Sequence, residues 1–417
     1  MNERSIAVHG LGYIGLVHAG ALAALGWRVV GVDIDHAKRA AFARGESLIS
    51  EHGLAPLLRA AHEEGALCAV ASAAEAVRLA DVHIICIGTP SDADGRADLS
   101  ALERACGDLG RALTGRDGAL VILRSTIPPG TSRRVAAIIS EHAGTPVAVA
   151  FAPEMLREGQ ALADLAQPAL LAIAATDDAT SARALAALPV SDEARAAACR
   201  VDFETAELLK YACNAWHATK VAFANEMGTL ACAFDVSGVA LMRLLAADRV
   251  ANISPRYLRP GAAFGGACLP KDVAALALLG ADRGLSLPLT ASLLPSNDRH
   301  LDRLVAHVVA RAETRVGLIG LAFKGGTDDL RESPALRLMA ALVARGKDVR
   351  AWDPAIDPSR LHGANREAAS RIAPDFAERL VEREALFAWA EVIVVHHGAS
   401  DADIARWQVT HPIIDVR

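Results

Sequence analysis

Lysine is scarce in this 417-residue sequence. The 43 basic residues include only six lysines: Lys38, Lys210, Lys220, Lys271, Lys324 and Lys347. Because arginine is the usual cation of the chain, a position that keeps lysine indicates a need for a compact ammonium charge that a planar guanidinium cannot replace. The lysines are therefore candidate site residues.

An excess of basic charge is also missing. The 43 basic residues are outnumbered by 49 acidic ones, and no basic run is present that could follow a nucleic-acid backbone. No apolar run reaches the roughly 18 to 20 residues that cross a bilayer, and residues 1–10 lack the pattern of a secretory signal. We expect a cytoplasmic protein without a nucleic-acid or membrane partner.

Paired cysteines and metal-binding motifs are missing too. The seven cysteines form an odd set without paired spacing, which favours reduced thiols over a disulfide framework. Neither CxxC nor HExxH occurs, so we expect no metal site.

Strand and helix signals alternate at both ends of the chain. Strand patterns occur at 5–8, 27–32, 81–87, 119–123 and 147–151 in the first part, and at 316–323, 349–352, 392–396 and 413–416 in the last. Between them, residues 203–234 form one long helical pattern. We predict an α/β fold with two Rossmann-like doubly wound domains joined by a central helical domain with a long helix. The predicted domains are 1–198, 199–300 and 301–417.

Three glycines between the first strand and the first helix predict a dinucleotide site. Gly10, Gly12 and Gly15 form a GxGxxG pattern, in which glycine permits a tight turn and close approach of a pyrophosphate. Asp33, at the end of the next strand, can accept the ribose hydroxyls and repel a 2′-phosphate, which favours NAD over NADP. The alternative is a purely structural glycine turn.

Two hydroxyls follow neighbouring strands of the same predicted sheet. Thr89 comes after the strand at 81–87, and Thr126 comes after the strand at 119–123. Because ligands bind at the carboxyl ends of such strands, both are candidates for cofactor or reaction-centre contacts. Turn hydroxyls without a ligand are the alternative.

The segment around Cys268 is typical of a reactive thiol. Gly265 and Gly266 permit close backbone approach, Lys271 can lower the pKa of the thiol, and Asp272 lies about one helical turn after it. The alternative, a small buried apolar residue, suits the other six cysteines better.

A second group of polar residues shares one face of the long helix. Lys210, Asn214 and His217 are spaced by four and three, so Lys210 and Asn214 can point together at a developing oxyanion. Glu154 follows a strand end, where a carboxylate can act as a base. In a late glycine-containing loop, Lys324 and Arg331 are suited to phosphate or cofactor contacts, with solvated loop charges as the alternative.

Taken together, these segments resemble the UDP-glucose/GDP-mannose dehydrogenase family, and its GDP-mannose branch in particular. The similar segments are KYACNAWHATKVAFANEMG at 210–228, RPG at 259–261, CLPKD at 268–272 and HGAN at 362–365. The resemblance covers nearly the whole chain. It implies an NAD domain, a central dimer domain and a nucleotide-sugar domain, and therefore a homodimer or a larger homo-oligomer with shared active sites.

The resemblance also implies roles for individual residues. It makes Cys268 the nucleophile, Glu154 the base, and Lys210, Asn214, Asp272 and Thr126 the other catalytic groups. The implied NAD contacts, added to the glycines, are Tyr13, Ile14, Asp33, Lys38, Thr89, Thr126, Glu158, Lys271 and Arg331. The implied sugar-nucleotide contacts are Glu154, Leu156, Lys210, Asn214, His217, Asn225, Tyr257, Arg259, Gly265 and Lys324.

The implied reaction is the oxidation of GDP-mannose at C6 to GDP-mannuronate, with NAD as the acceptor and a thioester on Cys268, for an exopolysaccharide such as alginate. Two alternatives stay open. One is the same reaction on UDP-glucose or a UDP-N-acetylhexosamine. The other is a non-catalytic regulatory protein that binds NAD.

Overall fold

The computed structural model describes residues 4–90, 92, 96–157, 159–254, 261–266, 269–361 and 363–417. The chain divides into two compact units, Met1–His217 and Ala218–Arg417, and each unit is described by itself. The predicted boundaries of three domains stay a prediction.

The first unit is built on an eight-stranded sheet with the order β3-β2-β1-β4-β5-β6-β7-β8. The strands are β1 (Ser5–His9), β2 (Arg28–Val32), β3 (Leu67–Val70), β4 (Val82–Ile85), β5 (Leu120–Leu123), β6 (Ala148–Phe151), β7 (Ala172–Ala175) and β8 (Cys199–Arg200). All neighbouring pairs are parallel except β6 and β7.

Helices connect these strands and cover both faces of the sheet. They are α1 (Tyr13–Ala24), α2 (His36–Ala43), α3 (Leu54–Glu63), α4 (Ala73–Val77), α5 (Ser100–Ala112), α6 (Thr131–Ala143), α7 (Ala161–Ala166), α8 (Asp178–Ala187) and α9 (Asp192–Ala196). The last helix to begin in this unit is α10 (Phe203–Cys232), which continues into the second.

The β5 strand shows why the sheet is covered on both sides. Its four residues, Leu-Val-Ile-Leu, are all buried. Leu120 and Ile122 belong to one apolar cluster, and Val121 and Leu123 to another. Because successive side chains point to opposite faces, a continuous apolar run of this kind needs a core on each face.

The strand order places a crevice at the carboxyl ends of β1 and β4, where the chain leaves the sheet in opposite directions from two neighbouring strands. The loops after β1, β4, β5 and β6 meet at this edge, because parallel strands end on the same side. They carry Gly10, Thr89, Thr126 and Glu154.

A pair of histidines is buried within this sheet. His9 Nε2 lies 3.1 Å from His83 Nδ1, and the exposed fractions of the two residues are 4% and 0%. Burial lowers the pKa of His83 to about 4 and also holds the pKa of His9 well below its usual range. Both rings are therefore neutral at neutral pH.

The second unit combines helices with a four-stranded parallel sheet of order β10-β9-β11-β12. Its strands are β9 (Arg315–Ile319), β10 (Asp348–Trp352), β11 (Val392–Val395) and β12 (Ile413–Asp415). Its other helices are α11 (Gly238–Ala247), α12 (Leu269–Asp282), α13 (Pro288–Val309), α14 (Pro334–Val343), α15 (Gly363–Ile372), α16 (Arg383–Trp389) and α17 (Asp401–Trp407). The predicted fold class is confirmed.

The second sheet repeats the turn that follows β1. Leu11 N donates to Asp33 Oδ2 at 2.8 Å in the first unit, and Leu321 N donates to Asp353 Oδ2 at 2.8 Å in the second. Asp353 also accepts from Ala355 N at 2.9 Å, and only 1% of its side chain is exposed. In each unit, an aspartate at the end of the second strand anchors the turn after the first.

Within the ranges that the structure describes, no helix is both long enough and apolar enough to cross a membrane.

Candidate active site

The turn after β1 brings glycines into contact with the backbone. Gly10 has a φ of +94°, and a Cβ atom there would lie 2.7 Å from the carbonyl oxygen of Cys86. A Cβ atom at Gly15 would lie 1.8 Å from the carbonyl oxygen of Gly10. Both positions require glycine for the fold itself.

Gly12 differs from these two positions. No described atom outside its own helix and chain neighbours lies within 4 Å of a Cβ atom added there. Gly12 also precedes α1 with no side chain capping the helix, so the first N–H groups of α1 are open to a ligand. A bare backbone beside such N–H groups suits a pyrophosphate.

Asp33 lies at the rim of the same turn. Its carboxylate accepts from Leu11 N at 2.8 Å and from Asp35 N at 2.9 Å, and 8% of its side chain is exposed. Lys38 Nζ lies 3.8 Å from Asp33 Oδ2. Each carboxylate oxygen keeps a lone pair that can accept a ribose hydroxyl.

These residues line one cleft of about 850 Å³ at the crevice between β1 and β4. Its lining includes Gly10, Gly12, Asp33, Lys38 and Gly88. The volume is within the range of small-molecule sites, and the residues fit a dinucleotide. The pyrophosphate would lie against Gly12, and the adenosine ribose would lie against Asp33.

Glu51 anchors this site, although sequence reasoning missed it. It accepts a hydrogen bond from the Tyr13 hydroxyl, and it accepts from Gly159 N at 2.7 Å and Ala161 N at 3.0 Å. The Tyr13 hydrogen bond holds the pKa of Glu51 below its usual range. Glu51 thus joins the start of α1 to the loop next to Glu158, a predicted NAD contact that itself lies outside the described residues.

The loops after β4 and β5 are tied together by two hydroxyls. Thr89 Oγ1 donates to the Thr126 carbonyl oxygen at 2.6 Å, and Ser125 Oγ donates to the Ile87 carbonyl oxygen at 2.6 Å. Ser125 was missed by sequence reasoning, since nothing distinguishes it from other loop serines. The Thr89 hydroxyl orders the loop that carries Thr126, and its lone pairs can still accept.

A buried ion pair lies at the same sheet edge. Lys210 Nζ, on α10, lies 2.7 Å from Glu154 Oε1, and 8% and 11% of the two side chains are exposed. The other oxygen of Glu154 accepts from Leu156 N at 2.9 Å. Further along α10, Asn214 and His217 are exposed. The structure thus brings together Glu154 and Lys210, two groups suited to proton transfer and oxyanion stabilisation.

Two described cysteines of this unit, Cys86 and Cys106, are not suited to the role of nucleophile. Burial raises the pKa of Cys86 to about 12 and that of Cys106 to about 12. A thiol of that kind stays protonated at neutral pH and reacts slowly. Cys268 lies outside the described residues, as do Tyr257 and Arg259, and Asp272 lies in α12 but its side chain is not described.

The chain just before Cys268 packs within the second unit. Asn297, on α13, accepts from Phe264 N at 2.8 Å and donates to the Phe264 carbonyl oxygen at 2.9 Å. A Cβ atom at Gly265 would lie 2.1 Å from the carbonyl oxygen of Glu332, which explains the glycine. Asn297 was also missed, because its partner is 33 residues away.

The other predicted contacts of the second unit lie on its surface. Lys324 and Lys271 are exposed, and Arg331 forms an ion pair with Asp329 at 2.7 Å. Asn225, on α10, is exposed. No cluster of three or more potential metal ligands occurs among the residues that the structure describes.

Comparison with known protein families gives three successive matches along the chain. Residues 4–188 match the NAD binding domain of the UDP-glucose/GDP-mannose dehydrogenase family, residues 204–299 match its central domain, and residues 317–417 match its UDP binding domain.

Individual relatives are similar over most of the chain. The GDP-mannose 6-dehydrogenase of Pseudomonas putida is 42% identical over 383 residues, which cover 90% of this chain and 86% of the relative. The UDP-glucose 6-dehydrogenase of Pseudomonas aeruginosa is 36% identical over 361 residues, 84% of this chain and 78% of the relative.

A solved structure shows the same likeness. The crystal structure of a ternary complex of GDP-mannose dehydrogenase from Pseudomonas aeruginosa has a TM-score of 0.92 and 35% identity, and covers 99% of this chain and 96% of that one. The glycine turn, Asp33 and the open cleft lie within residues 4–188, which match an NAD binding domain, and the cofactor of the chain is NAD. The chain belongs to the UDP-glucose/GDP-mannose dehydrogenase family and is an NAD-dependent nucleotide-sugar dehydrogenase.

Proposed function

We propose that this chain oxidises C6 of GDP-mannose to a carboxylate, giving GDP-mannuronate, through a thiohemiacetal and then a thioester on Cys268. The observation that carries the proposal is the buried ion pair of Lys210 and Glu154, 2.7 Å apart, at the same sheet edge as the dinucleotide turn. Charged groups that are buried together at such an edge are typical of reaction sites.

NAD, when bound, would accept the hydride in each oxidation, one NAD molecule for each, and the hydroxyl proton lost in each oxidation would pass to water or a base. The chain's own residues handle the other steps. The Cys268 thiolate adds to the C6 aldehyde, forming a C–S bond. Lys210 and Asn214 donate to the oxygen that becomes negative, a contribution of about 3 to 4 kcal/mol per donor in comparable sites.

Hydrolysis releases the product. Water, held by the Thr126 hydroxyl, adds to the thioester carbon and loses a proton to Glu154. The C–S bond then breaks, so the thiolate of Cys268 leaves and the carboxylate forms. Asp272, on the turn after Cys268, is proposed to complete this group.

The remaining predicted residues bind the two ligands. We assign NAD contacts to Gly10, Gly12, Tyr13, Ile14, Gly15, Asp33, Lys38, Thr89, Thr126, Glu158, Lys271 and Arg331. We assign sugar-nucleotide contacts to Leu156, His217, Asn225, Tyr257, Arg259, Gly265 and Lys324, in addition to the catalytic residues.

The proposed enzyme is a cytoplasmic dimer. In α11, a ten-residue helix rich in leucine, no residue is buried, and 83% of Val239 and 72% of Leu244 are exposed. An apolar helix of this kind favours contact with another protein surface. The resemblance implies a dimer formed by the central domain, and we propose that α11 belongs to its interface and that Tyr257 and Arg259 of the second copy complete the substrate site.

The choice of GDP-mannose is supported by the higher identity to a GDP-mannose enzyme, 42% against 36% for a UDP-glucose enzyme. A UDP sugar is the second candidate, because residues 317–417 match a domain described as UDP binding.

The decisive experiment offers the purified protein GDP-mannose, UDP-glucose, UDP-N-acetylglucosamine and UDP-N-acetylmannosamine separately, and follows NADH absorbance. We expect the highest kcat/KM with GDP-mannose and two NADH per sugar. A preference for a UDP sugar would replace the substrate. Binding of NAD without NADH from any sugar would favour a regulatory protein instead.

Two cysteine variants distinguish the covalent mechanism from a simple alcohol oxidation. Cys268→Ser should abolish formation of the carboxylate, whereas Cys199→Ser, at an exposed cysteine of the first unit, should keep wild-type turnover. Full turnover by Cys268→Ser would exclude the thioester.

A further inference from the structure

One carboxylate at the start of α10 is completely buried and is not used by the proposed chemistry. Glu207 has an exposed fraction of 0%. Its Oε2 accepts from Gly130 N at 2.6 Å, and its Oε1 accepts from Ser132 N at 2.6 Å. These are short, charge-assisted hydrogen bonds to a fully buried carboxylate, the strong class of such bonds.

The two amides belong to the N-terminus of α6, which has no side-chain cap of its own. Its N-cap position is Gly130, which has no side-chain oxygen to accept from the first N–H groups of the helix. Glu207 supplies the missing acceptors from 75 residues away at Ser132. Its negative charge also lies at the positive end of the α6 dipole, where an anion is stabilised.

Glu207 lies one helical turn before Lys210 on α10. Residues three apart on a helix share a face, and Lys210 is the residue that reaches Glu154 at 2.7 Å. On the α6 side, the loop that ends at Gly130 is the one that carries Thr126. A single carboxylate therefore ties the start of the Lys210 helix to the Thr126 loop.

We propose that Glu207 is a positioning residue, which sets the position of Lys210 against Glu154 and of the Thr126 loop beside them. The inference rests on the proposed function for its effect on catalysis, because Lys210 would act on the substrate only through the geometry that Glu207 maintains. Loss of this anchor lets α10 shift. Displacements of about 1 Å at a reaction centre can lower rates by about 100-fold.

The chain offers a matched control on the same two helices. Glu204 lies one turn before Glu207 on α10 and pairs with Arg133 of α6 at 2.6 Å, but 43% of its side chain is exposed. Exposed pairs of this kind contribute little to structure. Glu204→Gln therefore removes a bridge between the same helices without removing the buried anchor.

The experiment compares wild type, Glu207→Gln, Glu207→Ala and Glu204→Gln. Glutamine keeps the size of the side chain but turns an NH₂ group toward one of the two donors. The first measurement is the rate at which an amine-acylating reagent modifies each lysine, resolved by mass spectrometry. Only six lysines are present, and Lys347, which donates to two carbonyl oxygens of the second unit at 2.8 and 2.7 Å, is the internal reference.

We expect Lys210 to be acylated severalfold faster in both Glu207 variants, because it loses its fixed contact with Glu154, while Lys347 is unchanged. Amide hydrogen exchange at residues 130–132 should also accelerate. Glu204→Gln should match wild type in both measurements. If Glu207→Ala does not fold, Glu207→Gln carries the test.

The second measurement is steady-state turnover. We expect Glu207→Gln to lower kcat at least tenfold, with KM for NAD within about twofold of wild type, and to change the pH profile of kcat, since the Lys210–Glu154 pair is altered. A structural role alone would lower the melting temperature and leave kcat of the folded protein and its pH profile unchanged, which would overturn the proposal. Unchanged acylation of Lys210 in folded Glu207→Gln would overturn it as well.

The two proposals fail in different ways. Absence of NADH production by the wild type would refute the proposed function, whereas the acylation rates would still decide whether Glu207 positions Lys210.

Discussion

Gly12 offers a test that separates a glycine required for binding from glycines required for the fold. Its φ of −84° and ψ of −165° are values that alanine adopts, and an added Cβ would meet no described atom within 4 Å. Gly12→Ala lowers the entropy of the unfolded chain, which favours folding by about 0.4 to 1 kcal/mol. Alanine is a poorer N-cap than glycine by a similar amount. We expect the free energy of unfolding to change by about 0.5 kcal/mol at most.

The same methyl group should impair NAD binding. It would occupy the space proposed for the pyrophosphate beside α1, and overpacking by one methyl group typically costs about 1 to 3 kcal/mol. The affinity for NAD should therefore fall by about 5- to 150-fold. NAD at 100 times the wild-type Kd stabilises the wild type by about 2.7 kcal/mol, but it would stabilise a variant with 100-fold weaker binding by only about 0.4 kcal/mol.

Thermal melting with and without NAD, together with calorimetric titration, measures both effects. Gly15→Ala is the control for a structural glycine, because its Cβ would lie 1.8 Å from the Gly10 carbonyl oxygen and the variant should not fold. The reasoning is refuted if Gly12→Ala binds NAD as tightly as the wild type, or if it is destabilised to the same extent as Gly15→Ala.

Three further predictions follow from the described geometry. Asp33→Ser should weaken NAD binding by about 10- to 150-fold, because hydrogen bonds to a charged group contribute about 1.5 to 3 kcal/mol. Titrations with both dinucleotides should also show a smaller ratio between the affinities for NAD and NADP. The pKa of His83 is about 4 when folded and about 6.5 when unfolded. The unfolded state thus binds the extra proton, and stability is lost as pH falls from about 6.5 to about 4, by about 3 kcal/mol in total. In urea titrations across this pH range, the free energy of unfolding of His83→Leu should depend less on pH than that of the wild type. The same dependence in both proteins would contradict the lowered pKa of His83. Leu244→Asp, at the exposed face of α11, should convert the proposed dimer to a monomer in light scattering, and an unchanged mass would place the interface elsewhere.

Much of the fold could be predicted from the sequence because buried strands are recognisable as short apolar runs. The strand β5 consists of leucine, valine and isoleucine, and β1 contains isoleucine and valine at alternate positions; both were predicted from sequence to within a few residues. The missed strands β3 and β7 have four residues each and contain alanine, which is depleted in strands, and β8 has only two residues. They are strands because the sheet beside them offers hydrogen-bonding partners, which a local pattern does not reveal.

The residues of the candidate site also differ in whether a local sequence pattern could predict them. The Gly10–Gly15 turn and Asp33 could be predicted because the chemistry of a dinucleotide fixes their spacing along one strand-turn-helix unit. Glu51 and Glu207 could not. Glu51 contacts Gly159, 108 residues away, and Glu207 contacts Gly130, 77 residues away, so only the folded chain shows what these carboxylates do. No local sequence pattern predicts these contacts, because the partners are far apart in the sequence.

The aspartate that anchors the second turn has a consequence for how such motifs are interpreted. The side chain of Asp33 is 8% exposed at the rim of the cleft. The side chain of Asp353 is only 1% exposed, and His397 Nε2 lies 3.6 Å from its carboxylate. The chain after Leu321 also runs through a loop to Pro334 before α14 begins, so no row of free amides follows directly. The hydrogen bond from the turn to the aspartate is the same in both units, yet only the turn at Gly10–Gly15 leads directly into the N-terminus of a helix. A motif search based only on a strand, a glycine and an acidic residue would therefore also select the turn at Gly320, although α14 begins only at Pro334.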